Sequence, residues 1–169
     1  MLVVRDETPA DREAVRVVNE RAFGQAAEAD LVDALRENAE PHVSLVAEVG
    51  GRVVGHVFFS PVVVESSAGA WAAFALGPMG VLPEFQRRGV GSGLIRRGLD
   101  ECRRAGQEVV FVLGHADYYP RFGFGPAAAR GLRCEYPVPE EVFMVAELRE
   151  GALAGRTGLV KYRPEFGRV

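Results

Sequence analysis

Apolar positions change their period several times along this chain, and each period names an element. Residues 2–5 are a short apolar run suited to a strand. Thr8 then stands as a helix N-cap, with Pro9 at the first helical position and Asp11 in the first turn. Ala14, Val15, Val18 and Ala22 share one helical face, and Gly24 closes the run. A second helix starts near residue 26 and carries Leu31, Val32 and Leu35 on one side. The stretch HVSLVAEVGGRVVGHVFFSPVVVE holds two β-rich runs joined at Gly50-Gly51, a two-residue hairpin signal. Beyond a turn at residues 66–69, residues 71–82 form another strand, interrupted by Gly77-Pro78. Proline cannot donate to a β-ladder, so a bulge or an edge is predicted there. Residues 89–105 turn helical: Val90, Leu94, Ile95, Leu99 and Cys102 share a face opposite a row of arginines, and Gly106 caps the helix. EVVFVLG is a continuous apolar run, as in a buried parallel strand. DYYPRFGF allows a short helix, and β-rich segments follow at 132–136 and 142–148.

The predicted order is βααβββαβαββ, a mixed α/β sheet with helices on both faces. Its one strand–helix–strand crossover should join parallel strands. No linker, low-complexity stretch or internal repeat divides the 169 residues, and 1–169 is expected to form one domain. An apolar share of 48% and a charged share of 25% describe an ordinary soluble globular chain. The net charge of -3 gives no general attraction to nucleic acid or anionic membrane, so neither partner is expected. Cys102 and Cys134 form no Cys-x-x-Cys pair, which argues against a zinc ribbon or a disulfide scaffold and fits a reducing compartment. Arg5 interrupts any secretory run, and no apolar stretch reaches membrane-spanning length. A cytoplasmic location and no metal are the expectations.

FQRRGVGSG, residues 85–93, sets glycine at 89, 91 and 93. In a helix each glycine costs about 1 kcal/mol relative to alanine. Between a strand and a helix, such a loop bares unpaired N–H groups and the positive end of the helix dipole to an anion. The P-loop pattern fails, because no Gly-Lys-Ser/Thr follows. The dinucleotide fingerprint fails too, because Leu94 stands three residues after Gly91. What remains is Gln86-Arg87-Arg88-Gly89-Val90-Gly91, a Gln-x-x-Gly-x-Gly motif.

This motif resembles the acetyl-coenzyme A loop of the GCN5-related N-acetyltransferases (GNAT). The segment LGHADYYPRFGF, residues 113–124, is similar to one shared by a bacterial subfamily of predicted acetyltransferases. The resemblance runs through nearly the whole element order. It implies a mostly antiparallel sheet in which one parallel pair splays around an acyl-coenzyme A cleft. It implies that Gln86, Arg87, Arg88, Gly89, Val90, Gly91, Ser92 and Gly93 bind the coenzyme, with the amides of residues 88–93 cradling the pyrophosphate and neighbouring arginines facing the 3′-phosphate. Met79, Gly80 and Val81, in the strand MGVLP, would pair with the pantetheine arm as an added strand does. One amide there would face the thioester oxygen. Alignment on Gly123-Phe124 makes Tyr119 the proton donor to the departing thiolate, with Tyr118 left to packing. Pro120 departs from the pattern, standing where many members carry an acidic residue.

The implied activity is acetyl-coenzyme A-dependent N-acetylation of a primary amine by direct transfer in a ternary complex. The alternative is a non-catalytic acyl-coenzyme A binding or sensing domain on the same fold. The acceptor would be a small-molecule or peptide amine, and homodimers are common among such folds. No general base stands out. His42, His56 and His115 each read first as structural, although His115 follows a buried strand whose end should border a crevice. The resemblance, in which the first two helices shape the acceptor side, implies that Glu28 contacts an amine. Arg96, Arg97, Arg103 and Arg104 read as a solvated helix face, and both cysteines as buried free thiols.

Overall fold

A computed structural model describes residues 1–168. Strand β1 (Leu2–Asp6) leads into the Thr8-Pro9 start of the first helix. There the Thr8 N–H donates to Asp11 Oδ2 at 2.7 Å, and one 3-10 turn gives way to α1 (Arg12–Phe23). Gly24, left-handed at φ 71, ends α1, and α2 (Ala27–Asn38) follows. The hairpin joins β2 (Val43–Val49) to β3 (Arg52–Ser66), which pairs in turn with β4 (Gly69–Val81). Helix α3 (Val90–Arg104) crosses to β5 (Val109–Leu113), which lies parallel to β4. The remaining strands are β6 (Gly125–Pro126), β7 (Leu132–Cys134), β8 (Phe143–Glu147) and β9 (Gly158–Lys161). The sheet order is β1-β2-β3-β4-β5-β8-β6, and β9 joins β7 to the far end of β3. Among the described residues the pairings are antiparallel except β4 with β5 and β7 with β9.

Strand alternation places the helices. Phe58 packs with Val15, Leu31, Val32 and Leu35 of α1 and α2. Its neighbour Phe59 points the other way, into a cluster with Val90, Leu94, Ile95, Leu99 and Cys102 of α3. Burying each of these side chains contributes about 1.5–3 kcal/mol. Gly98 lets α3 lie close on the sheet, since a Cβ there would come within 2.3 Å of the Phe59 ring. The far half of the sheet, including Val62, Val64, Phe111 and Val145, is covered by Leu132, Ala152, Leu153 and Val160 from the C-terminal segments.

Two departures from the sequence reading matter for the site. The segment expected to allow a helix after β5 is a 3-10 turn, Tyr119–Phe122. Pro120 supplies no N–H, and Gly123 at φ 96 terminates the turn. Strand β9 was not foreseen. It and the following 3-10 turn Pro164–Arg168 fold back until Phe166 packs on the α1–α2 cluster.

Candidate active site

The bulge at Gly77-Pro78 creates the site. Phe59 pairs with Leu76 and Val57 with Met79, so Gly77 and Pro78 face a single residue of β3. The parallel pairing of β4 with β5 ends at Leu76 and Val112. Among the described residues, nothing pairs with the free edge of β4 beyond that point. Strand alternation then decides which groups stand open. The Leu82 N–H donates to Val54 O at 2.9 Å, so Leu82 and Gly80 turn their backbone groups toward β3. Met79 and Val81 turn theirs into the gap. The Val81 carbonyl is taken by the side-chain amide of Gln86 at 3.1 Å, which ties the glycine loop to the strand. The N–H groups of Met79 and Val81 are left facing the cleft.

The loop ends in two left-handed residues, Arg87 at φ 63 and Gly89 at φ 82. Left-handed arginine costs about 1 kcal/mol; the turn it makes lets α3 begin directly below the gap. Gly89 is the N-cap and has no side chain to cap with. The first backbone donor bonded within the helix is Gly93, to Gly89 O at 3.0 Å. The N–H groups of Val90, Gly91 and Ser92 therefore lack intrahelical acceptors, and concentrate the positive end of the dipole. Arg87 and Arg121 flank the depression they open into, of about 790 Å³, alongside Asp117.

Of the residues singled out from sequence, Met79, Gly80, Val81, Gln86, Arg87, Gly89, Gly91 and Ser92 line this depression. Arg88 does not. It stacks on Phe85, its guanidinium carbon 5.6 Å from the ring centre. Val90 is buried in the core and offers only its amide. Gly93 lies a turn further along, where a Cβ would meet Leu2 at 3.2 Å. Arg121 was missed by sequence reasoning. It reaches the site because the 3-10 turn sets its guanidinium 4.8 Å from the Tyr118 ring centre.

A second lobe, of about 780 Å³, opens on the other side of Met79. The lobes share Phe23, Met79, His115 and Tyr118. Tyr119 lines the second lobe, buried to 7% exposure, its ring against Gly114. Burial, and then the neighbouring Tyr118, push its hydroxyl pKa up to about 12. Tyr118 is more than packing: its hydroxyl comes to 3.4 Å from Ser92 Oγ, and a Cβ on Gly91 would meet it at 3.1 Å. A phenol thus borders the cleft on each side of its waist.

His115 is exposed and borders both lobes. His56 does not reach the cleft. It is 0% exposed, with Nε2 2.9 Å from Ser44 Oγ and Nδ1 3.3 Å from Asn19 Nδ2. Ser44 donates to Glu7, which pairs with Arg36 at 2.6 Å. An amide donating to Nδ1 leaves the proton on Nε2, so the chain runs Asn19 to His56 to Ser44 to Glu7. His42 rests on Ala39 O at 2.7 Å and stacks on Phe58. Arg97 and Arg104 bond Glu101, Arg103 bonds Asp100 and Leu148 O, and Arg96 covers Phe122. Burial raises the Cys102 thiol pKa to about 12, so it is an inert filler. Among the described residues no three His, Cys, Asp or Glu side chains gather to hold a metal ion, and no helix is long and apolar enough to cross a membrane.

Known proteins share this arrangement. The family profile described as the acetyltransferase (GNAT) domain matches residues 3–127. An uncharacterized N-acetyltransferase of Escherichia coli strain K12, YjhQ, is 44% identical over 135 residues, which is 78% of this chain and 75% of the relative. A second from that strain, YhbS, is 38% identical over 168 residues, 99% of both chains. The crystal structure of E. coli YhbS in complex with CoA superposes with a TM-score of 0.91 at 36% identity, over 99% of this chain and 92% of that one. A GNAT family acetyltransferase from Brucella melitensis in complex with acetyl-CoA gives 0.80 at 34% identity, over 98% of each chain. The chain therefore belongs to the GNAT family of acetyltransferases.

Proposed function

We propose that this chain, acting as one domain in the cytoplasm, is an acetyl-coenzyme A-dependent N-acetyltransferase that acylates a primary amine directly, in a ternary complex. The observation that carries the reading is the uncapped start of α3 opening onto the unpaired edge of β4. Together they make an anion cradle continuous with a strand-shaped slot. The relatives crystallised with CoA and acetyl-CoA support the choice of ligand.

The fit can be argued residue by residue. The N–H groups of Val90, Gly91 and Ser92, backed by Arg87 and Arg121, suit a pyrophosphate. The lack of a side chain on Gly91 keeps the approach open. The Met79 and Val81 edge suits the amide-bearing pantetheine arm. The thioester supplies the activated acetyl group. The chain's own part is to orient, to exclude water and to manage one proton. An N–H of Met79 or Val81 is available to a carbonyl oxygen as it gains charge. The Tyr119 hydroxyl keeps its proton at neutral pH, because burial raises its pKa to about 12, and can deliver it to the departing thiolate.

Two phenylalanine variants test this. Tyr119→Phe should lower kcat at least about tenfold with little change in acetyl-coenzyme A affinity, as expected for a proton donor acting in the transition state. Tyr118→Phe loses the contact with Ser92 and should act mainly on the KM for acetyl-coenzyme A. A reversed pattern would move the acid role to Tyr118. Tight acetyl-coenzyme A binding without thiol release, over a broad amine panel, would return the chain to a binding or sensing role.

A further inference from the structure

The second lobe carries its own chemical signature. Its walls include the rings of Phe23, Tyr136, Tyr162 and Phe166. Tyr162 stands between the other two C-terminal rings, 5.6 Å from Tyr136 and 5.2 Å from Phe166. The Tyr162 hydroxyl is buried, without a partner among the described residues, so it is ring that this residue offers the cleft. Glu28 is the carboxylate at this lobe, and no lysine or arginine lines it among the described residues. Glu28 sits half-buried in the first turn of α2, where the Gln25 amide reaches its two oxygens at 3.0 and 3.2 Å. A carboxylate accepts about four hydrogen bonds, so Gln25 orients the group without saturating it. Tyr136, Tyr162 and Phe166 all lie outside residues 3–127, the part matched by the shared family profile.

We infer that the acceptor is a small primary amine on an aromatic or bulky aliphatic body, with no carboxylate beside the amine. Its ammonium docks at Glu28 and its body lies among the Tyr136, Tyr162 and Phe166 rings. The inference rests on the acetyltransferase reading above. An α-amino acid would set its own carboxylate near Glu28 with no lysine or arginine lining the lobe among the described residues, and like charges in a half-buried cleft repel. A polyamine would strand a second ammonium where, among the described residues, no second carboxylate lines the wall. An arylalkyl monoamine leaves neither charge unanswered, and its cation also gains from the ring faces. In the reaction the nitrogen–carbon bond forms as the carbon–sulfur bond breaks. Of the two ammonium protons lost, one reaches the thiolate and the other the solvent.

The test measures thiol release with phenethylamine and hexylamine against L-glutamate, L-lysine and spermidine, after acetyl-coenzyme A binding has been measured by calorimetry. Phenethylamine should exceed glutamate, lysine and spermidine, which carry further charges, by about tenfold or more in kcat/KM, the scale of one charge-assisted contact. Glu28→Gln should raise its KM about tenfold while acetyl-coenzyme A affinity is unchanged. Tyr136→Leu, a milder change of the wall, should raise the same KM. Failure of acetyl-coenzyme A to bind would overturn the acetyltransferase reading and this inference with it. Normal binding with phenethylamine inert, or with glutamate or spermidine preferred, would overturn the inference and leave the reading standing. An unchanged KM in Glu28→Gln would remove Glu28 as the ammonium site and overturn it as well.

Discussion

Acid should destabilise this protein through His56. Burial lowers the pKa of its imidazole from 6.5 to about 4; the nearby Glu7 carboxylate works against that shift and Arg36 adds to it. Between those two values the unfolded chain binds a proton that the folded chain refuses. Stability therefore rises with pH across the window, is level above it, and has lost the whole contribution below about pH 4. At about 1.4 kcal/mol per pH unit, the loss amounts to about 3 kcal/mol. That is a large part of a typical stability of about 5–15 kcal/mol. The bonding explains why the fold cannot simply rearrange. Nδ1 already accepts from Asn19, and a second ring proton would face that amide donor. Urea unfolding of the wild type and of His56→Gln, followed from about pH 7 to about pH 4, isolates the effect in the difference between the two curves. Glu7 titrates in both proteins and largely cancels. The difference should shrink by about 3 kcal/mol as pH falls, and the His56 ring signals in NMR should stay neutral down to about pH 4. A flat difference curve, or a ring titrating near 6.5, would refute the reasoning.

Gly98→Ala should destabilise the fold by up to about 2 kcal/mol. Overpacking costs about 1–3 kcal/mol, against about 1 kcal/mol gained in helix propensity. The clash is with Phe59, whose ring a new Cβ would approach to 2.3 Å, and a lower urea midpoint is the readout; an unchanged or higher midpoint would show that α3 can move away. Gly91→Glu should abolish acetyl-coenzyme A binding by calorimetry with the fold intact. A carboxylate suits the first turn of a helix but occupies the anion's place, and only the Tyr118 hydroxyl, 3.1 Å from the new Cβ, must shift. Normal binding by that variant would mean the loop is not the cradle. Acetyl-coenzyme A at about a hundredfold over its dissociation constant should stabilise the wild type by about 2.7 kcal/mol. Equal protection by NADH would point to a different ligand.

The coenzyme side of the cleft was legible because its signals are local. Gly77-Pro78 interrupts a strand pattern, and the bulge falls there; the glycines follow a strand and open a helix, and the bare helix start falls there. The acceptor side was not legible, because it is assembled by distant pairing. Residues 158–161 are too few to show a period, and they become a strand only by meeting β3 and β7. That return brings Tyr162 and Phe166 across the molecule to α2, and nothing near them in sequence announces it. Tyr118 does pack on the core, as expected, but is not confined to that role. In the 3-10 turn both tyrosines border the cleft. The run from Asn19 through His56 and Ser44 to Glu7 joins a helix, two strands and the loop after β1, so no spacing rule could have found it.

The unpaired edge of β4 divides one strand between two surroundings. On one side Gly80 and Leu82 hold their amides in the ladder with β3, closed to solvent. On the other, Met79 and Val81 present theirs to whatever fills the gap. An edge in the middle of a sheet is a place where a foreign strand could insert, and this one is shielded by the glycine loop tied to it through Gln86. Under the proposed function, a ligand lying in the gap completes the sheet. Amide exchange should record that incompleteness as an alternation along a single strand, fast at residues 79 and 81 and slow at 80 and 82. Under the proposed function, a bound coenzyme would erase the alternation.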